Sequence, residues 1–384
     1  MDVDVYAWGA NSHGQLGLGH ESELCMTPQR LSKYSFVPQL VRCIRGGGGH
    51  VLILDNNGRV HACGWNNRGQ LGLNSTEECH NEFSMVPTEY FEEAPIESIS
   101  CGWDISGGIT VNKQLFVWGS NAFQQLGICQ RGFTSVRRPM RVRLPRDEAA
   151  HRVSFGLRHC AVLTVNKIVY IFGRLRIMDP APIELDITAT TLHRSNVVKI
   201  QAHNPNELRI VAVVSGQNHL LLKCIDVQAG KRIVALGDNK FGQSNAFQFE
   251  EDVGQLAVGW THNAVILKSN KILLWGRNCY GQLGTGGFSE QQATPTPLHL
   301  QLEEGQTVGH LHMGAEHGLL RTKNGEIYTW GWNEHGNCGN NATENLSQPT
   351  LLKLPGHAKL AGTGAGFCYA IVETVDEPAG PTSI

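Results

Sequence analysis

Five histidines recur at one kind of position. His50, His159, His219, His262 and His317 each stand three residues after a glycine and open an apolar run. Imidazoles can ligate metals, move protons or satisfy buried polar groups, and their separation in the fold decides which. A second motif, G-x-N-x-x-G-Q-L-G, could cradle a phosphate on its backbone N–H groups. It runs from Gly9 to Gly17, Gly64 to Gly72, Gly119 to Gly127 (Gln124 replaces the middle glycine) and Gly276 to Gly284, with looser copies from Gly237 and Gly331. No copy reads G-x-x-x-x-G-K-[ST] or leads into a helix, so these loops, like the run Gly46 to Gly49, read as turn architecture. The eleven cysteines contain no C-x-x-C pair, no Cys/His group has zinc spacing, and no G-x-S-x-G elbow is present. The sequence thus predicts no metal, no cofactor and no catalytic residue of the hydrolase, transferase or redox kinds.

The elements that must carry these residues are repeats. The Gly-x-x-His motif opens an apolar run, a tight turn such as Asn57-Gly58, and a second apolar run that ends in the glycine loop. Two copies diverge: Gly102-Trp103-Asp104 is read with Asp at the histidine position, and the copy from Gly364 places Phe367 there. The marked positions are then 50, 104, 159, 219, 262, 317 and 367, which makes seven units with a period of about fifty residues. Short apolar runs joined by Asn-Gly-type turns are hairpin strands, and no stretch sustains a helical period. The fold class expected is all-β: a seven-bladed β-propeller with ring closure between the N- and C-terminal strands. The first copy has the strand Val5 to Gly9 without the preceding hairpin, and the last has the hairpin without the following strand, so the two share one blade. Residues 1–373 are expected to form the one propeller, and 374–384 a disordered polar tail. In such a ring the histidines are spread too widely to share one ion, and they are expected to make structural hydrogen bonds. Leu16, Leu71, Leu126 and Leu283 are expected to plug the space between blades. His310 and His312, which alternate with Leu311, are expected to be outward strand side chains.

Composition agrees with a folded chain. Hydrophobic residues are 41%, charged residues 17%, and glycine is 44 of 384. The formal charge of -2 disfavours a generally basic nucleic-acid binder, and the acidic start Met1-Asp2-Val3-Asp4 offers no arm for DNA phosphates. No apolar run approaches the roughly 18 residues of a membrane-spanning helix, and no basic region followed by an apolar one opens the chain. Reduced, scattered thiols predict a cytoplasmic protein, with the nucleus as a second compartment.

Candidate partner-binding residues follow from type and place. Trp65, Trp103, Trp260 and Trp332 flank the two motifs and suit a hot-spot surface, or else pack between blades. Arg131, Arg137, Arg138, Arg141, Arg143 and Arg146 lie in sixteen residues without an acidic one. They form either a solvated strand or a patch for an acidic partner, with Arg137, Arg138 and Arg141 at its centre. The fourth unit reads Arg174-Leu175-Arg176-Ile177-Met178-Asp179-Pro180 where the others carry G-Q-L-G, and this irregular arc is where a specific function is expected.

The repeated G-x-N-x-x-G-Q-L-G, with Ala7-Trp8-Gly9-Ala10-Asn11-Ser12, Cys101-Gly102-Trp103-Asp104, Gly259-Trp260-Thr261-His262 and Trp330-Gly331-Trp332-Asn333, resembles the regulator of chromosome condensation family over nearly the whole chain. Within that family it looks most like the branch of secretion-regulating guanine nucleotide exchange factors. The resemblance implies a seven-bladed propeller that promotes nucleotide release from a Ras-superfamily small GTPase, linked to secretion, by protein–protein binding. It further implies an exocyst subunit as a partner. In the family's exchange factor for the nuclear-transport GTPase, acidic and histidine side chains beside the Gly-x-x-His hairpins face the GTPase. The matching positions here read Gly49, Arg158, Asn218, Thr261 and Glu316, with Trp103 and Gly366 at the divergent copies. Among these, Arg158 and Glu316 are the charged candidates, and no catalytic residue is assigned. Similar small propellers imply an alternative: a non-catalytic scaffold for the small zinc-containing electron donor of diphthamide synthesis and tRNA wobble-uridine modification.

Overall fold

A computed structural model of the chain describes residues 2–128, 132–176, 187–192, 197–226, 230–302 and 306–374. Seven antiparallel sheets follow one another along the chain, and each begins with the strand nearest a central opening. Blade 1 is the closure blade. Its order is Ser22–Arg30, Val3–Asn11, Phe367–Thr374, Gly356–Thr363, so the first strand of the chain pairs with the last from Val3↔Glu373 to Gly9↔Phe367. Pairing over these seven residues consumes both ends of the sheet array and leaves no open edge between the terminal units.

Blades 2, 3, 6 and 7 are four-stranded and regular. They open with Val41–Gly46, Ile96–Cys101, Val253–Val258 and Val308–Met313, and their outermost strands are Cys79–Met85, Ser135–Val142, Gln291–Pro297 and Leu346–Leu352. Blade 4 departs from this plan. Its strands Ala150–Phe155, His159–Thr164 and Val169–Gly173 are followed in the sheet by Val197–Ala202 and then by a fifth strand, Ile187–Leu192. Blade 5 (Leu208–Ser215, His219–Asp226, Gly230–Gly237) ends in an outer strand of only three residues, Phe247–Phe249.

The core lies between blades. The second strand of each sheet is mostly buried because both of its faces meet a neighbouring blade; His50–Asp55 and His262–Leu267 are buried at every position, and His219–Asp226 is half-buried only towards its outer end. Leu16, Leu71, Leu126 and Leu283 are 0–1% exposed and sit in these inter-blade layers, as their spacing predicts. The tryptophan before the loop glycine clasps the preceding blade. Trp8 Nε1 donates to Asn337 O at 3.0 Å, Trp118 Nε1 to Gln70 O at 2.8 Å, and Trp330 Nε1 to Gln282 O at 3.0 Å. The residues 375–384 of the expected tail, Arg131 and the stretch 177–186 lie outside the described residues.

The register corrects one reading. The first residue of the second strand is His50 opposite Gly64, His159 opposite Gly173 and Phe367 opposite Gly9, and in blade 3 it is Ile105 opposite Gly119. Ile105, not Asp104, therefore occupies the histidine position. Asp104, not Trp103, is the counterpart of Glu316 just before it. Of the two alternating histidines expected to point outward, His310 does and His312 departs. Their strand is the one nearest the central opening; Leu311 enters the core, His310 is exposed, and His312 is half-buried near Arg45 and Arg321.

Candidate functional site

One face of the ring carries every glycine loop and every Gly-x-x-His turn, because the end of a blade's first strand and the end of its third meet there. The loops are built to present one residue each. The motif asparagine accepts from the N–H five residues on: Leu16 N to Asn11 Oδ1 at 3.0 Å, Leu126 N to Asn121 at 3.1 Å, Leu283 N to Asn278 at 3.1 Å. The motif glutamine accepts from the N–H two residues back, at 2.8–2.9 Å, which fixes His13, Arg68, Phe123, Phe241 and Tyr280 at the surface. Gly64 shows why glycine is needed before the loop. Its φ is +100°, and a Cβ there would lie 2.5 Å from Gly49 O.

The Gly-x-x-His turns have a similar logic. A Cβ on the motif glycine would fall 2.0–2.2 Å from the Cε1 atom of His50, His159, His219, His262 or His317, so each imidazole lies against a bare Cα. All five rings are buried. His50 Nε2 meets Ser106 Oγ at 2.8 Å, His219 Nε2 meets Asn263 Oδ1 at 2.8 Å, and His317 Nε2 meets Cys368 Sγ at 3.3 Å. Each partner follows the histidine position of the next blade, where His159 instead finds Leu220 and His262 finds Gly318. Those two rings have no hydrogen-bond partner among the described residues, contrary to the expectation that all five would be satisfied, although His262 Nδ1 lies 3.6 Å from Glu316 Oε2. Burial lowers the pKa of His50, His159 and His262 to about 3, and of His219 and His317 to about 4, so they are neutral at physiological pH. Among the described residues no group of three His, Cys, Asp or Glu side chains is placed to hold a metal ion.

The second residues of these turns surround the central opening. Backbone bonds link them from blade to blade, including Gly48 N to Trp103 O at 2.9 Å, Gln217 N to Trp260 O at 3.0 Å and Ala315 N to Ala365 O at 2.9 Å. Trp103 and Trp260 come from blades 3 and 6, yet their rings meet with centroids 5.1 Å apart. The pair thus spans the opening, and Trp65 joins it edge-on to Trp103 at 6.5 Å. Trp332 extends the array on the other side, 6.4 Å from Tyr280 and 5.1 Å from His335. All four tryptophans are half-buried, so they serve packing and still offer surface.

The charged candidates separate. Glu316 is only 5% exposed. It accepts from Thr261 Oγ1 at 2.7 Å and Gln282 Nε2 at 2.6 Å, and Arg277 Nη1 lies 3.5 Å away. Burial pushes its pKa up, while Thr261, Gln282 and Arg277 oppose that shift by stabilising the carboxylate. Glu316 therefore works through Arg277, whose guanidinium is held 5.3 Å from the Phe241 ring centroid and 4.9 Å from that of Tyr280. Asp104, which the misplaced register hid, is half-buried; desolvation raises its pKa, and Ser120 and Arg68 pull it back. Arg158 is exposed, 4.8 Å over Phe123.

The arginine run is not one patch. Arg137, Arg138 and Arg141 are drawn out along the outermost strand of blade 3, and Arg143 and Arg146 follow it. Arg137 is half-buried and donates to Ser75 O at 2.9 Å, which ties down the blade 2 loop. Arg141 pairs with Glu92 at 3.1 Å, and Arg138 is exposed, 6.0 Å from the Tyr90 ring centroid. Sequence reasoning missed Arg277, Phe241 and Tyr280. Their signal was position: Phe241 and Tyr280 stand two residues before a motif glutamine, and Arg277 directly follows Trp275-Gly276.

The chain's relatives agree with this architecture. Residues 4–372 match the family model described as the RCC1-like domain. The mouse secretion-regulating guanine nucleotide exchange factor is 30% identical over 407 residues, covering 97% of this chain and 84% of that protein. Among solved structures, yeast (Saccharomyces cerevisiae) Prp20p superposes with a TM-score of 0.79 at 18% identity, covering 97% of this chain and 92% of that one. Human WBSCR16 gives a TM-score of 0.79 at 20% identity, covering 97% and 100%. Seven closed blades, the repeated loop chemistry and the span of these matches place the chain in the RCC1-like propeller family.

Proposed function

We propose that the protein is a guanine nucleotide exchange factor for a Ras-superfamily small GTPase, linked to secretion, and that its loop face is the surface the GTPase meets. The observation that carries this reading is the 30% identity to the mouse secretion-regulating exchange factor across 97% of the chain. Yeast Prp20p, which has the same fold, is described with binding properties to Gsp1p and histones. The face suits such a partner physically. It offers half-buried aromatics around the axis (Trp103, Trp260, Trp332) and flanking charges at Arg158, Asp104 and Arg277. Aromatic and arginine anchors ringed by polar contacts are the usual composition of a hot spot.

Exchange on this surface needs no covalent chemistry. A GTPase that holds nucleotide at nearly picomolar affinity gains about 16 kcal/mol from it. A factor that binds the empty GTPase more tightly than the loaded one weakens the nucleotide by the same ratio. The cost is met by a broad contact, typically above about 1,200 Å² in total. An exocyst subunit would be a second protein partner under the same reading.

A scaffold reading is favoured by one observation: Glu316, the acidic residue marked before a repeat histidine, is turned inward and spent on Arg277. That leaves the half-buried Asp104 as the carboxylate at this ring of positions. On this reading the same face docks a small zinc-containing electron-donor protein without exchange. Release of labelled GDP from a panel of Ras-superfamily GTPases separates the two. Acceleration of one GTPase that Trp260→Ala abolishes supports exchange. No acceleration across the panel, with stable capture of the zinc protein, sinks exchange in favour of the scaffold.

A further inference from the structure

We propose that the cleft between blades 4 and 5 on the loop face is a docking site for an acidic peptide segment of a protein partner, held by Arg158, Arg174 and Arg176. The cleft has a volume of about 340 Å³ and is lined by these arginines with Asn218, Asp238 and Asn239. It exists because blade 4 lacks the G-Q-L-G loop. In the regular copies the preceding blade's motif glutamine packs beneath the next blade's loop glycine: Gln15 under Gly64, Gln125 under Gly173, Gln282 under Gly331. Under Gly237 that place is taken by Leu175. Leu175 turns into the inter-blade layer, and its neighbours Arg174 and Arg176 are exposed on either side of it.

The cleft gathers three guanidinium groups around one concavity. Arg30, Arg141, Arg232 and Arg277 each pair with a carboxylate. Arg158, Arg174 and Arg176 form no ion pair with any carboxylate of the described residues. Three like charges gathered around one concavity repel one another, and an anionic partner relieves that repulsion. Arg158 is also positioned in advance by the Phe123 ring, which lowers the ordering cost of a bidentate contact.

The lining favours carboxylates on a peptide over an enclosed phosphate. The backbone N–H groups of Arg174 and Asp238 already donate to Arg158 O at 2.7 Å and Asn218 O at 2.9 Å, so they do not form an N–H cradle. Asp238 is exposed in the wall, and its Oδ2 accepts from Gln243 Nε2 at 3.3 Å. This one negative charge in the wall penalises a compact dianion more than single carboxylates spaced along a chain. The guanidinium fork matches a carboxylate in two parallel bonds.

The inference goes beyond the exchange reading, and its test contains no GTPase, so either can fail alone. Anisotropy of a labelled octaglutamate peptide is measured with the full chain at low salt. Binding is expected, and Arg174→Glu with Arg176→Glu is expected to weaken it at least about tenfold. Arg138→Glu, on the outer strand, is expected to change it by less than about twofold. Arg174→Gln with Arg176→Gln gives the same direction without charge reversal, and an unchanged unfolding midpoint shows that both variants are folded. Absence of binding, or an equal loss in Arg138→Glu, overturns the proposal, since net charge alone would then explain the result. Inorganic phosphate binding more tightly than the peptide, with the same sensitivity to Arg174 and Arg176, overturns it in favour of a free anion.

Discussion

Two arcs of the loop face use the same residue in opposite ways. In blades 5 to 7, Arg277 is neutralised by Glu316 and sandwiched by Phe241 and Tyr280, and Thr261 and Gln282 complete the carboxylate's bonds. Between blades 4 and 5, Arg158, Arg174 and Arg176 face a cleft without a carboxylate partner among the described residues. The first arrangement stores its charge internally and shows aromatic surface. The second leaves its charge available. A repeat fold can do both because loop changes leave the strand core intact.

The largest expected effect removes the frame that both arcs share. The five buried histidines have pKa values of about 3 to 4 in the fold, against about 6.5 when unfolded. The unfolded chain therefore binds more protons below pH 6.5, and folding stability falls as pH drops from there towards 4. Each histidine costs about 1.4 kcal/mol per pH unit within that window. A thermal unfolding midpoint that stayed flat from pH 7 to 5 would contradict the buried, neutral ring.

Removing the internal counter-charge comes next. Glu316→Ala strands Arg277, Thr261 and Gln282, and is expected to cost about 3 kcal/mol by denaturant unfolding. Arg158→Ala is expected to cost no more than about 1 kcal/mol, because the one described contact of its charge is the solvent-facing Phe123 ring. Similar losses at both positions would erase the distinction between the arcs.

A smaller contrast tests the histidine ring. Phe367 shows that an aromatic hydrocarbon fits this position. His159→Phe removes two unpartnered ring nitrogens and is expected to be neutral or slightly stabilising. His50→Phe deprives Ser106 Oγ of one partner and is expected to cost about 1 kcal/mol. The smallest effect is expected from Arg138→Ala. It should leave stability and GTPase-directed activity unchanged, since Arg138 lies on the blade 3 outer strand, away from both arcs.

Much of the fold was legible in the residues. The period of about fifty, the split first unit and the plugging leucines led directly to seven blades and a shared closure sheet. The site was legible only in outline. One ambiguous turn, Gly102-Trp103-Asp104-Ile105, lacks its histidine, and without pairing the counterpart of Glu316 could be placed one residue early. The arginine run looked like a patch because six arginines are close in sequence. An extended strand carries Arg137, Arg138 and Arg141 along its length from one face towards the other, and turns successive side chains apart. The three arginines that do converge are separated in sequence, with Arg158 in one turn and Arg174 and Arg176 beyond the next two strands.

The sequence alone determined the blade count, the loop chemistry and the place of closure. These rest on short-range signals: turn glycines, strand periodicity, and an asparagine and glutamine that bond within their own loop. Tertiary structure decided which charges remain free. Whether Glu316 meets a partner or is consumed by Arg277, and whether Leu175 fills the gap that opens the arginine cleft, depend on contacts between blades. Burial and Coulomb energy act through distances in space, and the order of residues along one blade does not contain the neighbour that sets them.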